Sequence, residues 1–266
     1  MTFLREFLLF GLKQAYACIF AGALLALVII THVWYPFTGL ARYDFLFLAA
    51  LGIQVLLLAF RLETWRDALV IFAFHVVATV MEVFKTSDAI GAWSYPDPSL
   101  IRIGHVPLFA GFMYSAVGSY ISRVWGVFDF QFSHFPDRRV MGAIAVLIYL
   151  NFFSHHFMVD LRWVLVGAIV FALRRTWVFF RIDREHRAMP LLAGLVLVSL
   201  FIWFAENIAT YCRVWFYPAQ KDQWVMVSPQ KLVAWFLLMF ISFWLVTLVR
   251  GVTARAAPAA SGRTAP

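Results

Sequence analysis

From Gln14 to Arg250 the chain alternates long apolar runs with short polar clusters. A helix rises about 1.5 Å per residue, so roughly 20 apolar residues cover the roughly 30 Å hydrocarbon layer of a bilayer. Eight stretches approach that length: residues 14–33, 43–60, 67–86, 105–123, 140–158, 161–180, 189–210 and 229–250. Charges collect between these runs instead of recurring every three or four positions, as they would along a soluble amphipathic helix. The pattern predicts an all-α integral membrane protein of about eight transmembrane helices. Its connections are too short for a second soluble domain.

Composition narrows the solvent. Of 266 residues, 63% are hydrophobic, 18% aromatic and 14% charged, too few polar groups to cover a soluble globule. The expected organisation is a cytoplasmic segment 1–13, one polytopic domain over 14–250 and a disordered cytoplasmic tail over 251–266, rich in Ala, Pro and Ser. Arg5 and Lys13 precede the first run, but that run has full span length and no small-residue cleavage site, so it reads as an uncleaved helix. The net charge of +8 does not form a basic stripe with interleaved aromatics, which excludes a nucleic-acid surface. It sorts by membrane side instead. With a cytoplasmic N-terminus, fifteen of the 22 Lys and Arg fall inside and seven outside (Arg42, Lys85, Arg102, Arg162, Arg213, Lys221 and Lys231). The positive-inside bias places both termini in the cytoplasm, with the chain in a bacterial inner membrane. Cys18 and Cys212 lie far apart along the runs and form no metal or redox motif.

Laid over itself at an offset of about 124, the chain resembles itself. Glu82-Val-Phe-Lys-Thr86 lies over Glu206-Asn-Ile-Ala-Thr210. Each is followed by an aromatic hook, Trp93-Ser-Tyr95-Pro96 or Trp215-Phe-Tyr217-Pro218, and eleven residues on by a proline at a helix start, Pro107 or Pro229. His32 lies over His156, and Phe60-Arg61-Leu-Glu63 matches Phe180-Arg181-Ile-Asp183. The shared order predicts two four-helix repeats, about 14–123 and 138–250, in parallel orientation because four spans separate equivalent positions.

In this topology the odd-numbered spans end on the outer side and gather the reactive side chains there. Glu82, Glu206, His155 and His156 are the catalytic candidates; Asn151, Asn207, Lys85, Lys231, Asp160 and His32 are candidates for holding a substrate. Ionisable groups inside apolar spans are costly and usually face a cavity. The bland alternatives are specific. Each glutamate has the option of snorkelling to the interface or pairing with Lys85, Arg213 or Lys231; Asp160 suits a helix N-terminus. The hooks read first as interfacial anchors and His75 and His134 as satisfied buried or loop histidines, while His186 falls on the cytoplasmic side. Adjacent helical residues point about 100° apart, so His155 and His156 bind one ion together only with local unwinding, and a third and fourth ligand have to come from other spans. With Glu206 they form the candidate set for a divalent transition metal, the only cofactor suggested.

The chain resembles the YoaT-like bacterial membrane proteins, a family whose domain is of unknown function. The likeness runs from about residue 45 to 250. It rests on Glu82-Val-Phe-Lys-Thr86, Gly91-Ala-Trp93-Ser-Tyr95-Pro96, Val106-Pro107 through Tyr114, Asn151-Phe-Phe-Ser-His155-His156, and Ala205-Glu206-Asn207 through Trp215 and Pro218. It implies membrane residence. The membrane-end glutamate, Gly-x-Trp-x-Tyr turn and Val-Pro helix start are also similar to patterns in membrane carotenoid hydratases and cyclases, which implies acid chemistry on polyene lipids. The leading functional expectation is therefore a membrane-embedded enzyme acting on a lipid or isoprenoid, by carboxylate acid–base chemistry or metal-assisted hydrolysis. Its partners are the lipid bilayer and a lipid or isoprenoid ligand. The alternatives are a transporter or channel for a small solute or ion, and a non-catalytic scaffold or sensor.

Overall fold

An apolar run with few side-chain partners satisfies its backbone most simply as a helix, and the chain folds accordingly. A computed structural model describes residues 2–255 and contains, among them, helices α1 (Thr2–Ala17), α2 (Ile19–Val33), α3 (Arg42–Ala59), α4 (Trp65–Lys85), α5 (Phe109–Val127), α6 (Arg138–Ser154), α7 (Arg162–Leu173), α8 (Leu191–Tyr211) and α9 (Gln230–Arg250). The starts are set locally. Thr64 and Asp67 form a reciprocal capping box on α4, with Asp67 N–H donating to the Thr64 hydroxyl at 3.3 Å and Thr64 N–H to the Asp67 carboxylate at 2.9 Å. Asp137 caps α6 by accepting from Arg139 N–H at 2.7 Å, and Pro229 precedes α9.

Each of the eight apolar stretches falls on a helix. Four of these helices (α3, α4, α8 and α9) are long and apolar enough to cross a membrane, and α1 with α2 would count as a fifth if the bent pair is one span. Outward faces carry Leu48, Val55, Phe72, Leu147, Phe171, Val196 and Phe201, all exposed, an apolar surface that water does not favour.

Several boundaries differ from the sequence reading. The first stretch is not one straight helix: the chain breaks at Cys18 with a bend of 69°, and residues expected to form a plain N-terminal segment make α1. The polar side of α1 is anchored, with Arg5 paired to Asp183 at 3.1 Å, Glu6 to Arg187 at 2.8 Å, and Lys13 donating to the Arg181 carbonyl at 2.9 Å. The sixth stretch stops early. α7 ends at Leu173, and Trp177–Arg181, a β-favouring run of aromatic and branched residues, pairs instead as a strand. The fold is thus not purely helical. A two-stranded ladder, β1 (Arg102–Ile103) with β2 (Val106–Pro107), precedes α5, and β3 (Gln131–Ser133), β4 (Trp177–Arg181) and β5 (His186–Pro190) form an antiparallel sheet in that order. The tail expected to be disordered keeps its first residues in place: Ala254 bridges Phe132 of β3, and Arg255 N–H donates to the Phe132 carbonyl at 2.8 Å. Residues 256–266 of that tail lie outside the described residues.

α5 is the central helix, with Ala110, Gly111, Ser115, Ser119 and Ser122 among its many buried positions. α4 packs along α5 and α8 along α9; α2 and α3 pack on α5, α6 and α7 on α9; α5 and α9 meet each other. Two ends result. The C-termini of α4, α6 and α8 gather with the N-terminus of α9 at one end, and the three-stranded sheet marks the other.

Candidate functional site

At the gathered end lies Glu82, 1% exposed, in the last turn of α4. Its carboxylate meets donors only: Trp93 Nε1–H at 2.8 Å and Tyr95 O–H at 2.7 Å on Oε2, and Tyr114 O–H at 2.6 Å on Oε1. An acceptor-only carboxylate needs such surroundings once water is excluded. The donors come from a hook and a helix. Gly91, at φ +56°, turns the chain back so that the hook returns under α4. Burial first, and then the Glu82 charge, push the Tyr95 phenol well above its ordinary pKa, so it stays a donor.

Glu206 on α8 repeats the arrangement. It is 3% exposed, and it accepts from Tyr217 O–H at 2.5 Å and Trp235 Nε1–H at 2.7 Å. Burial and the Glu206 charge likewise raise the Tyr217 phenol well above its ordinary pKa. The two hooks pair with each other: Ser94 and Phe216 exchange backbone hydrogen bonds of 3.0 Å in both directions, as an antiparallel bridge. Trp93 meets Tyr217 edge-on at 6.2 Å between centroids, and Tyr114 meets Trp235 at 6.0 Å. The hooks expected to anchor at a membrane interface therefore turn inward as donors to buried carboxylates.

Beside the glutamates, Lys85 is buried, with Nζ 3.3 Å from His155 Nε2 and 2.8 Å from His156 Nε2. His155 Nδ1–H donates to the Asn151 carbonyl at 2.8 Å, which leaves Nε2 free to accept from the ammonium. α6 ends at Ser154, so the two histidines follow the helix instead of lying on it, and both rings turn to one amine with centroids 4.1 Å apart. Burial, Lys85 and His155 lower the His156 pKa to about 4. The expected metal set of His155, His156 and Glu206 is not brought together among the described residues. The space between the imidazoles is taken by an ammonium, Glu206 belongs to a different hydrogen-bond set, and the described residues contain no group of three or more His, Cys, Asp or Glu able to hold an ion.

Between these features lies a cavity of about 220 Å³. Lys85, Arg162, Lys231 and Glu206 supply its charges, Asn151, Ser228 and Gln230 its neutral polar groups, and Trp93, Tyr114, Tyr217 and Trp235 its aromatic walls. A smaller recess of about 40 Å³ lies among Phe74, Val117, Tyr149, Ile202 and Leu245 and shares the wall residues Met81, Tyr114, Trp235 and Leu238 with the first. Lys231 Nζ lies 4.0 Å from the Tyr217 ring centroid and 5.5 Å from that of Trp93. Among the described residues neither lysine has a carboxylate within 4.0 Å.

Residues 6–243 match a family described as "Protein of unknown function (DUF817)". The chain belongs to the DUF817 family. A Bacillus subtilis (strain 168) protein named "Uncharacterized protein YoaT" is 36% identical to this DUF817 member over 252 residues, which cover 95% of this chain and 94% of that protein. No solved structure matches.

In this DUF817 chain the remaining candidates divide. Asn151 lines the cavity, and its amide also donates to Asp160 at 3.2 Å. Burial opposes the Asp160 charge, but hydrogen bonds from the Arg162 N–H, the Asn151 amide and the Arg162 guanidinium hold its pKa below the ordinary value. Asp160 thus sits behind Arg162 as a positioning group rather than on the cavity wall. Asn207 braces a loop by accepting from Val227 N–H at 2.9 Å and is not a wall residue. His32 is exposed and stacks near Tyr211 at 6.1 Å, away from the cluster. The sequence reading missed Tyr114, Trp235 and Arg162 as site residues. For the first two a signal existed: a buried glutamate demands donors, and each aromatic lies within the first two turns of the helix that follows its hook.

Proposed function

We propose that this DUF817 protein spans the bacterial inner membrane eight times as two parallel four-helix repeats with both termini cytoplasmic, and works there as an enzyme on a lipid or isoprenoid. Four kinds of support bear on the repeat. The units α2–α5 and α6–α9 place their helices in the same order, and each packs its first three helices on its fourth. Both glutamates lie on 21-residue helices and receive a phenol from their own hook. Ser94 and its counterpart Phe216 pair reciprocally, as a two-fold axis between the units requires. Each helix that follows a hook brings a further aromatic donor to the glutamate, Tyr114 to Glu82 and Trp235 to Glu206.

The observation that carries the enzyme reading is the position of Glu206. Glu82 is enclosed by three donors behind the aromatic wall, whereas Glu206 has two donors and forms part of a cavity that shares four wall residues with an apolar recess. Glu206 is then the general acid or base, Lys231 stands beside it, and the recess receives the start of an apolar chain. At about 220 Å³ the cavity is smaller than a site enclosing a whole ligand, roughly 300–1,000 Å³, so it suits a headgroup whose tail remains in lipid.

The transporter reading is less well supported. Buried ion pairs close the opposite end, with Arg123 on Glu63 at 2.8 Å and Arg250 on Asp67. The test is turnover: wild type and Glu206→Gln in nanodiscs made from bacterial lipid extract, with lipid species followed by mass spectrometry. A species consumed by wild type alone is the expected result. Unchanged lipids with both proteins, together with solute counterflow in proteoliposomes, would move the protein to the transporter class.

A further inference from the structure

We propose that the cavity is a receptor for a phosphate-class anionic headgroup carried on an apolar chain, with Lys85, Arg162 and Lys231 as its ligands. This deepens the lipid reading above and rests on it. Three cations face the cavity and one carboxylate does, while Glu82 lies behind the rings of Trp93 and Tyr114 and Asp160 behind Arg162. With Arg162 paired to Asp160, the wall carries two ammonium charges against one carboxylate, an excess of one positive charge around a volume of headgroup size.

Donor supply points the same way. An ammonium has three N–H donors, and Lys85 directs two toward His155 and His156, so one is left for the cavity. These neighbours are neutral acceptors, and they hold the ammonium without cancelling its charge. Lys231 rests on the faces of Tyr217 and Trp93, which orient the amine yet leave its N–H groups for a ligand. Arg162 begins α7 and has one N–H, Nε, on Asp160. Asn151, Ser228 and Gln230 add neutral donors. Six donor-bearing side chains, from four helices and the loop before α9, exceed what the two oxygens of a carboxylate accept and suit the three terminal oxygens of a phosphate monoester. The apolar recess adjoins this cavity across Met81, Tyr114, Trp235 and Leu238, which places the first carbons of the tail away from the lysines.

The test is calorimetric binding to the purified full chain in nanodiscs, with dodecyl phosphate, dodecanoate, dodecanol, dodecyltrimethylammonium and inorganic phosphate as separate probes. Dodecyl phosphate is expected to bind most tightly, with Lys85→Gln and Lys231→Gln each weakening it about tenfold or more. Equal binding of dodecanol overturns the anionic headgroup and leaves the lipid reading standing; equal binding of dodecanoate overturns the phosphate class. Inorganic phosphate as tight as dodecyl phosphate overturns the tail, and tighter binding of the cationic probe overturns the proposal outright. Binding of none of the amphiphiles removes both this proposal and the lipid reading. The headgroup comparison uses wild type alone, so a variant that fails to fold does not weaken it.

Discussion

Glu82 shows how much of the site rests on single donors. Its three hydrogen bonds come from side chains 11, 13 and 32 residues away, and each replaces water that burial removed. Tyr114→Phe deletes one of them and leaves a carboxylate oxygen unsatisfied, a loss of roughly 1–3 kcal/mol that a thermal melt in detergent will register. Tyr217→Phe leaves Glu206 with Trp235 alone, and it should depress turnover as well as stability because Glu206 borders the cavity. His156 offers a test by pH. Its folded pKa of about 4 lies below the ordinary 6.5, so between these values the unfolded chain takes up a proton that the folded chain refuses. Its contribution to stability is therefore full above about pH 6.5 and is lost as pH falls toward 4. An NMR titration of labelled histidine should find one imidazole with a midpoint near 4, and Lys85→Met should raise it. A midpoint near 6.5 in wild type would dissolve the Lys85 cluster.

Among the elements, the contact of α4 with α5 depends on absent side chains. A Cβ on Gly118 would sit 2.8 Å from Phe74, and one on Gly111 would sit 2.8 Å from the Thr79 hydroxyl, so the helices approach where glycine permits it. Gly118→Val is expected to cost roughly 1–3 kcal/mol by overpacking, read as a lower melting temperature. At the opposite end, Arg123 and Glu63 are almost fully enclosed, and Ser119 adds a hydrogen bond of 2.8 Å to the same carboxylate oxygen. Arg123→Met alone should lose roughly 3–5 kcal/mol, and combining it with Glu63→Leu should recover most of that, because the penalty lies in the stranded charge. Element positions were legible in the sequence wherever apolar length decided them: α3, α4, α8 and α9 fall within a few residues of expectation. Tertiary partners decided the rest. Trp177–Arg181 is as apolar as a helix but has β3 and β5 to pair with. α1 turns from α2 because Arg5, Glu6 and Lys13 find their partners on the β4–β5 hairpin and its flanks.

At the scale of the whole molecule, the proposed repeat shows in the sequence as an offset between Glu82 and Glu206, but the pairing of the two hooks does not. Nothing in one strand of sequence announces that Ser94 and Phe216 will pair, or that the hooks will face inward to hold the glutamates. The same limit explains the histidines. Read as neighbours on a helix, His155 and His156 diverge, and only the fold, which ends α6 at Ser154, turns both rings to Lys85, 70 and 71 residues away. The proposed topology makes an independent prediction. A cysteine at Thr38, exposed in the loop after α2, should react with a membrane-impermeant maleimide on intact cells, whereas one at Arg184 in the β4–β5 hairpin should react only after permeabilisation. The reverse pattern would invert the protein in the membrane.

The central claim is that a lipid-class molecule occupies the space between the two helical units beside Glu206. The most direct measurement is the organic extract of purified protein, wild type beside Leu238→Trp, which fills the wall shared by cavity and recess. Wild type should retain about one equivalent of a defined amphiphile, and the variant should lose it while keeping its elution volume and melting temperature. The same lipid profile in both proteins would contradict the account.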